Sequence, residues 1–433
     1  MKHFVLFCSL VIAICNQTKP ASAQTFVKVS NTQLTVGEQA YYFVGTNFWY
    51  GAILGSTGQG GNRERLAKEL DLMQSVGITN LRVLVGAEGF AQYEKRVRPT
   101  LQPEPGVYND SLFDGLDYFL NELGKRKMYA VLYLNNTWDW SGGFNQYLEW
   151  TGRPPMPEEA NNNWRMYCEY AAQYATCEAC KELFFNHIRA VLGRTNRYSG
   201  LPYSDDPAIM AWQVCNEPRA FSRAAKAPFA QWLRETTALI RSLDANHLIS
   251  LGSEGVIGCE LDTALFETIH SDPNVDYITM HIWPKNWNWI DSKNVVGTLD
   301  AGIAATDKYI EQHLHFARKL NKPLVIEEFG YPRDNHLFVL DDPTTARDRY
   351  YAHILQRVRQ SASENDVLAG SNFWAWGGYA RPAHEWWQPW DDYTGDPAQE
   401  EQGLNAVFDT DSTMIIIKNH RINHDSVVLS FHN

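Results

Sequence analysis

Two glutamates in this sequence stand where a strand of buried character ends, and groups at such positions can act as acids, bases or nucleophiles. Glu217 follows the apolar run 208–215 and precedes Pro218, which has no N–H and cannot continue a strand. Glu328 ends a second apolar run, 324–328, and is followed by Phe-Gly. Two carboxyl groups at the tips of two core strands are the minimum that hydrolysis of a glycosidic bond requires.

Such hydrolysis needs the two carboxyl groups in different states, one protonated to donate a proton and the other ionised to attack. A single glutamate at a strand end usually forms a salt bridge on the rim, but two at matching positions, flanked by aromatic residues, favour catalysis. Glu327 competes with Glu328 for the ionised role. Alternation along a strand sends the two side chains to opposite faces, so we expect only one to face the site, and the periodicity leaves open which one.

Several polar residues near these strand ends could support the carboxyl groups. Asn216 precedes Glu217, and a carboxamide there would hold a sugar hydroxyl; Arg82, on the second apolar run, would keep a nearby carboxylate ionised. His281 and Trp283 alternate on the sixth run and therefore share a face. From its spacing, His281 is equally well explained as a core histidine with satisfied hydrogen bonds.

Aromatic residues make up 13% of the chain, which contains 15 tryptophans. Trp374 and Trp376 share one face of the eighth run, where an indole would form the floor under a sugar ring. Pyranose rings present apolar C–H groups to such surfaces, although a single loop tryptophan is as often a packing residue. The tryptophans in predicted loops are Trp138, Trp140, Trp287, Trp289, Trp386, Trp387 and Trp390.

Eight apolar runs alternate with amphipathic segments, and this order is typical of a (β/α)8 TIM barrel with catalytic groups at the carboxyl ends of its strands. An open doubly wound sheet is the alternative, but the sequence lacks the Gly-rich phosphate loop of that fold. We predict strands over 42–49, 78–85, 129–136, 208–215, 247–254, 276–284, 324–328 and 368–376.

Other segments complete the predicted barrel. Residues 26–36 read as an N-terminal hairpin that covers the bottom of the barrel, and 137–157 as a long loop that builds the substrate site. We predict one continuous helix over 163–193 and a strand-rich tail over 404–433.

The composition and net charge limit the classes of molecule that the protein is expected to bind. The chain has 433 residues and a net charge of −12, which argues against nucleic acid or an anionic membrane and fits a neutral polysaccharide. Nothing resembles a linker, so we expect one catalytic domain over 24–433 and a monomer. The strand ends show no cluster of metal ligands, and we expect neither a metal nor a cofactor.

Residues 1–23 have the features of a signal peptide. Lys2 and His3 form a short basic start, 4–14 is an apolar core, and Ala21-Ser-Ala23 is a cleavage site. We therefore expect a secreted or periplasmic protein that is cleaved after Ala23. A lipid anchor on Cys15 is the alternative, disfavoured by the bulky Ile14.

The cysteines beyond this segment are Cys168, Cys177, Cys180, Cys215 and Cys259. An odd number leaves at least one free thiol in an exported chain. Cys177 and Cys180 have the spacing of half a zinc site, but no second pair of ligands follows, so we expect a surface disulfide or unpaired thiols. Cys215 reads as a small core residue.

Taken together, these motifs resemble glycoside hydrolase family 5, and within it the β-mannanases. The stretches that carry the resemblance are 45–49 (GTNFW), 81–82 (LR), Asn135-Asn136 with Trp138, Gly142-Gly143 and Gln146-Tyr147, 212–219, 281–284 (HIWP), 328–330 (EFG) and 373–374 (FW). Arg219 after the Asn-Glu-Pro motif, together with the loop after Asn136, resembles mannanases rather than the cellulases of the family.

The resemblance implies a role for each matching residue. Glu217 resembles the acid/base and Glu328 the nucleophile, which decides between Glu328 and Glu327. Arg219 resembles a residue on the leaving-group side. The other positions implied to bind substrate or to lie in the active site are Trp49, Arg82, Trp138, Asn216, His281, Trp283 and Trp374. The family retains anomeric configuration, so the two carboxyl groups are expected roughly 5–5.5 Å apart.

The sequence departs from the family pattern at Trp283, where the family usually has a tyrosine whose hydroxyl donates to the nucleophile. An indole N–H is also a donor but has a different reach, so either the pKa of the nucleophile changes or another residue takes the role. The loop from Asn136 to Trp138 also carries an extra residue.

The resemblance implies a secreted, metal-independent enzyme that cleaves β-1,4-mannosidic bonds in mannan, glucomannan or galactomannan by double displacement. It acts within chains, or from chain ends if a loop closes the cleft. One alternative is a relative that acts on cellulose or another β-glucan. An alternative of another class is a carbohydrate-binding barrel without activity, and a third is a metal-dependent hydrolase.

Overall fold

The computed structural model describes residues 24–90, 95–337 and 340–422. The predicted signal peptide and the end of the tail, 423–433, lie outside the described residues. In chain order the strands are β1 (Val27–Ser30), β2 (Gln33–Val36), β3 (Gln39–Ala40), β4 (Phe43–Asn47), β5 (Ile78–Leu84), β6 (Tyr129–Tyr133), β7 (Ile209–Gln213), β8 (Leu248–Ser250), β9 (Ile278–Ile282), β10 (Leu324–Phe329), β11 (Leu368–Phe373), β12 (Trp376–Gly378) and β13 (Val407–Phe408).

Eight parallel strands, β4 to β11, form the central sheet in the order β8-β7-β6-β5-β4-β11-β10-β9. The two ends of this order, β8 and β9, are joined by backbone hydrogen bonds. The N–H of Asp276 donates to the carbonyl of Ile249 at 2.9 Å, and that of His281 donates to Glu254 at 3.1 Å. The sheet is therefore closed, and the predicted (β/α)8 barrel is confirmed.

Helices surround the barrel. They are α1 (Gly51–Gly55), α2 (Arg63–Ser75), α3 (Asp110–Arg126), α4 (Gly143–Trp150), α5 (Trp164–Ala171), α6 (Glu178–Leu192), α7 (Lys226–Leu243), α8 (Thr263–His270), α9 (Leu299–Leu320), α10 (Thr345–Glu364) and α11 (Thr413–Asn419). Among the described residues, no helix combines the length and the apolar character that crossing a membrane requires.

The N-terminal hairpin lies where the sequence places it. β1 and β2 pair antiparallel, with Val27 opposite Val36. The buried side chains of Val27 and Leu34 join a cluster that includes residues of the barrel strands, such as Tyr129 and Val325. These residues begin or nearly begin their strands, so the hairpin covers the amino-terminal end of the barrel and leaves the carboxyl end for the site.

The helix predicted over 163–193 is interrupted. α5 ends at Ala171, a short 3-10 helix spans Ala172–Thr176, and α6 begins at Glu178. Cys177 between them has extended backbone, its sulfur accepts the N–H of Cys180, and the two cysteines form a disulfide. Both are buried, so the expected disulfide is present but is not on the surface. Cys168, Cys215 and Cys259 are free.

Two further segments differ from the sequence prediction. The loop over 137–157 contains a 3-10 helix and α4, and most of α4 is buried. The tail contains only the two-residue strand β13 before α11, so a strand-rich tail is wrong for the described part, 404–422. Met414 and Ile417 are buried on one side of α11, and a spacing of three residues suits a helix rather than a strand.

Candidate active site

Glu217 follows β7 at the carboxyl end of the barrel. Its N–H donates to the carbonyl of Gly252 at 2.9 Å, and its φ of 51° lies in the left-handed region that residues other than glycine seldom adopt. Nδ1 of His281 lies 2.7 Å from one carboxyl oxygen of Glu217, and the indole N–H of Trp138 donates to the other. Both oxygens therefore have fixed partners.

Glu328 lies on β10 and faces Glu217. Arg82 donates from Nη1 to Oε1 of Glu328 at 2.6 Å, and the indole N–H of Trp283 donates to Oε2 at 3.2 Å. Nδ1 of His281 also lies 3.3 Å from Oε2. The donor that the family resemblance leads one to expect from a tyrosine is thus supplied by the indole of Trp283.

The neighbouring Glu327 also reaches the interior of the barrel, which corrects the expectation that alternation would separate it from Glu328. The pairing of β10 with β9 shifts register between Ile326 and Glu328, so strict alternation is lost there. Glu327 accepts hydrogen bonds from Gln213 at 2.6 Å and Tyr277 at 3.1 Å. It is held below the cleft and is absent from the cleft lining, whereas Glu328 lines it.

Arg82 connects most of these groups. Its buried guanidinium donates to Glu328, to Oδ1 of Asn216 at 2.7 Å, to Oδ1 of Asn47 at 3.0 Å and to Oε1 of Gln213 at 2.8 Å. A buried cation with this many acceptors has a fixed position. Arg82 therefore orients both Glu328 and Asn216, and Asn216 directly precedes Glu217.

The two carboxyl groups lie close together in one cleft. One oxygen of Glu217 and one of Glu328 lie within 4.8 Å of each other. Burial raises the pKa of Glu217, and burial together with the negative charge of Glu217 raises the pKa of Glu328. Hydrogen bonds from Arg82 and Trp283 stabilise the ionised form of Glu328, so we place the negative charge on Glu328 and the proton on Glu217.

His281 is neutral in this environment. Burial, reinforced by the charge of Arg82, holds the pKa of the imidazole well below its usual range. A neutral imidazole between two carboxyl groups can position them without adding a charge of its own. This arrangement shows that His281 contacts both glutamates, which its spacing in the sequence left open.

A cleft of about 520 Å³ opens above the two glutamates. Of the residues predicted to bind substrate, Trp138, Asn216, Arg219, Trp283 and Trp374 line this cleft, and so do the loop residues Trp140 and Trp287. Arg82 and His281 are buried beneath it.

Two tryptophans lie behind the cleft wall rather than on it. Trp49 donates its indole N–H to the carbonyl of Gly395 at 2.6 Å, and its ring contacts that of Trp140 at 5.4 Å. Trp49 is therefore buried and does not line the cleft, and its contact with substrate stays a prediction. Trp376 is fully buried and donates its indole N–H to Glu69 at 2.8 Å. It does not share a face with Trp374 as predicted, because β11 ends at Phe373 and the alternation of a strand does not continue beyond it.

Sequence reasoning missed several residues of the cleft. Glu254 accepts a hydrogen bond from Arg219 at 2.5 Å, and its place at the end of the fifth apolar run was a usable signal. Trp164 lines the cleft from α5, and Gln399 and Glu400 reach it from the segment after β12. Gln399 and Glu400 lie in a polar stretch without periodicity, so no sequence signal marks them.

Gln399 and Glu400 also present unsatisfied oxygens. Oε1 of Gln399 and Oε2 of Glu400 are buried and have no hydrogen-bond partner within the described chain. Burial, together with the charge of Asp396, raises the pKa of Glu400 to about 8. A buried acceptor beside a cleft is costly unless a ligand hydroxyl satisfies it, so these two residues suit a polyhydroxylated substrate.

Comparison with known proteins identifies relatives of this chain. A family model described as glycoside hydrolase family 5 beta-mannosidase-like matches residues 24–427. A putative mannan endo-1,4-beta-mannosidase of Oryza sativa subsp. japonica is 31% identical and aligns over 81% of each chain. Mannan endo-1,4-beta-mannosidase 7 of Arabidopsis thaliana is 27% identical over 86% of this chain and 84% of its own.

The chain is also similar to solved structures of a glycoside hydrolase family 5 enzyme. The crystal structure of a glycoside hydrolase family 5 mannosidase from Rhizomucor miehei is 35% identical, has a TM-score of 0.86, and is matched over 94% of this chain and 99% of that chain. A mutant of that mannosidase in complex with mannosyl-fructose is 33% identical, with a TM-score of 0.87 over 95% of this chain and 100% of that chain.

Proposed function

The chain belongs to glycoside hydrolase family 5, and from this premise we propose that it hydrolyses β-1,4-mannosidic bonds with retention of configuration, using Glu328 and Glu217. The observation that carries the proposal is the pair of carboxyl groups within 4.8 Å in one cleft. Retaining glycosidases place their carboxyl groups about 5–5.5 Å apart, whereas inverting enzymes need about 6.5–9.5 Å to admit a water molecule.

In the first step Glu328 is the nucleophile. Its carboxylate, held by Arg82 and Trp283, attacks the anomeric carbon and forms a glycosyl ester as the bond to the leaving-group oxygen breaks. Glu217 gives its proton to that oxygen, so the leaving sugar departs as an alcohol. Asn216, fixed by Arg82, is placed to hold a hydroxyl of the sugar at the cleavage point.

In the second step the roles of Glu217 are reversed. Now ionised, it takes a proton from a water molecule, and the resulting hydroxide equivalent attacks the anomeric carbon and releases Glu328. Formation of the ester removes the negative charge of Glu328, while Glu217 gains one by giving up its proton. Hydrolysis of the ester reverses both changes, so only one of the pair is ionised at each resting stage. The hydrogen bond from Trp138 and the contact with His281 keep Glu217 in position for both transfers.

The lining of the cleft supports a polysaccharide as substrate. Trp138, Trp164 and Trp374 offer apolar faces for pyranose rings, while Gln399 and Glu400 offer acceptors for hydroxyl groups. Mannan as the polysaccharide is supported by the rice and Arabidopsis relatives, which are named as mannan endo-1,4-beta-mannosidases, and by the R. miehei mannosidase. Glucomannan and galactomannan contain the same bond.

We also propose that the protein is exported and that it is a monomer. The basic start, apolar core and Ala21-Ser-Ala23 site support export with cleavage after Ala23. The net charge of −12 supports a neutral polysaccharide rather than nucleic acid or an anionic membrane as partner, and we propose a monomer. Size-exclusion chromatography with light scattering on the secreted protein, together with its N-terminal sequence, tests these points.

Product analysis tests the proposed substrate. The purified mature protein is incubated with linear β-1,4-mannan and, in parallel, with cellulose, and early products are separated by length. Cleavage of mannan alone supports the proposal; a ladder of mixed lengths indicates action within chains, and one dominant short product indicates action from chain ends. Cleavage of cellulose alone would overturn the mannan assignment, and intact binding without turnover of either would favour a binding protein.

A further inference from the structure

A second groove lies outside the catalytic cleft on the same end of the barrel. Its lining includes the apolar side chains of Phe90, Pro103, Pro389 and Trp390, the amides of Gln59 and Asn109, and the guanidinium of Arg98, and it has a volume of about 320 Å³. These residues come from the loops that follow β4, β5 and β12. We name it the aromatic groove.

Two chain segments connect the aromatic groove to the cleft. The N–H of Val97 donates to the carbonyl of Trp140, which lines the cleft, while the next two residues, Arg98 and Pro99, line the aromatic groove. The segment after β12 places Trp390 in the groove and Glu400 in the cleft. The same two segments of the chain therefore contribute to both sites.

Trp390 is presented to solvent by a tightly fixed turn. Its side chain is 79% exposed and its φ is 85°, a left-handed conformation that is unfavourable for a tryptophan. The turn is held by Asp391, which accepts the N–H of Gln388 at 2.9 Å and, through its carbonyl, the indole N–H of Trp387 at 3.1 Å. Exposing a large aromatic ring on a strained backbone is costly, and such outliers concentrate at ligand sites.

The chemistry of the groove fits one class of ligand. Phe90 is 53% exposed, and together with Trp390 and the prolines it offers rigid apolar faces that need little ordering on binding. The amide groups in its lining can exchange hydrogen bonds with hydroxyl groups. A neutral sugar chain satisfies both features.

We propose that the aromatic groove binds a length of β-linked polysaccharide outside the cleft and thereby holds long substrate chains against the enzyme. The choice of mannan as the first ligand rests on the proposed function, but the groove itself does not depend on which β-glycan the enzyme cleaves. Single sugars and short aryl glycosides, which end within the cleft, gain nothing from it.

The test compares Trp390→Ala and Phe90→Ala with Ile415→Ala, which removes an apolar side chain on α11 whose exposure, 62%, lies between those of Trp390 and Phe90. Binding to insoluble mannan and to cellulose is measured by depletion in a Glu328→Gln background, and kcat/KM is measured in the active background on an aryl β-mannoside and on polymer. All variants are checked for an unchanged melting temperature.

We expect Trp390→Ala to weaken binding to the polymer about tenfold and to lower kcat/KM on the polymer several-fold, with the aryl glycoside unaffected. Parent-like binding to every polymer by both aromatic variants would overturn the proposal, as would a parent protein that binds neither polymer. A parent that binds and cleaves only cellulose would contradict the mannan assignment. In that case weaker cellulose binding by Trp390→Ala would still support the aromatic groove, and unchanged cellulose binding would overturn it.

Discussion

The indole N–H of Trp283 donates to Oε2 of Glu328 at 3.2 Å. In the family pattern this donor is usually a tyrosine hydroxyl, and the sequence left open whether an indole would reach the nucleophile. It does, because Trp283 follows β9 directly and β9 pairs with β10 beside Glu328. Trp283 also lines the cleft, so one side chain serves both the nucleophile and the cleft wall.

Removing this donor should change the pH dependence of the reaction. In Trp283→Phe the ionised form of Glu328 loses one hydrogen bond, which raises the pKa of Glu328. The nucleophile must be ionised, so the acidic limb of the kcat/KM profile, where activity falls as the pH is lowered, should move to higher pH. We expect a loss at neutral pH of roughly tenfold or more.

The matched control is Trp287→Phe. Trp287 also lines the cleft, but among the described residues its indole donates no hydrogen bond to either glutamate. Its pH profile should keep the parent's acidic limb. An unshifted limb in Trp283→Phe would contradict the role of the indole in stabilising Glu328.

Glu217→Ala should discriminate between leaving groups. Without a proton donor, cleavage of mannan should fall by about 10²–10⁴-fold, because a sugar alkoxide is a poor leaving group. An aryl mannoside whose phenol leaves readily needs little protonation and should lose much less in the glycosylation step. Steady-state and burst kinetics on the two substrates measure the difference; equal losses on both would argue against Glu217 as the acid.

Glu328→Ala should abolish turnover, with a loss on the order of 10⁴-fold or more, and leave the fold intact. Glu327→Gln is the informative partner variant, because Glu327 is bound to Gln213 and Tyr277 below the cleft and does not line it. It should retain the ability to form a covalent intermediate. Circular dichroism and kcat on mannan check both; parent-like activity in Glu328→Ala would transfer the role to Glu327.

Asp244→Asn should lower stability in a pH-dependent manner. Asp244 is buried directly after α7, where it accepts hydrogen bonds from Nδ1 of His247 at 2.6 Å and from the indole of Trp212 at 2.7 Å. Burial alone would raise the pKa of Asp244, but these hydrogen bonds and the nearby imidazole lower it to about 2. A carboxyl group with a lowered pKa stabilises the fold above its unfolded pKa.

This stabilisation, about 2 kcal/mol, should be fully present at neutral pH and lost as the pH falls from about 4 to about 2. Urea unfolding at several pH values measures the effect. The variant should be less stable than the parent at pH 7, and the gap should narrow towards pH 3. Equal unfolding free energies at pH 7 would contradict the assignment.

The barrel could be predicted because its sequence pattern is local. Each core strand is a short apolar run that ends in a polar residue or a turn. All eight runs can be recognised even where the predicted ends of a strand are wrong by a few residues. The strand predicted over 247–254, for example, is regular only at Leu248–Ser250, yet its backbone continues to pair with neighbours up to Glu254. Glu217 and Glu328 were found because each marks such an end.

Features that depend on tertiary contacts were missed or misread. Alternation failed at Glu327 and Glu328 because the register shifts there against β9. It failed again between Trp374 and Trp376 because the strand ends at Phe373. The break between α5 and α6 follows from the buried disulfide at Cys177, which helical periodicity does not encode. Glu400 reaches the cleft only because its segment folds back over the barrel.

Covalent trapping tests the central claim, that Glu328 is the nucleophile of a double displacement. A 2-deoxy-2-fluoro mannoside with an activated leaving group is incubated with the protein, which is then digested and analysed by peptide mass spectrometry. We predict one sugar attached to Glu328, and no label in Glu328→Gln. A label on Glu327 or Glu217, or no label together with products of inverted configuration, would contradict the mechanism.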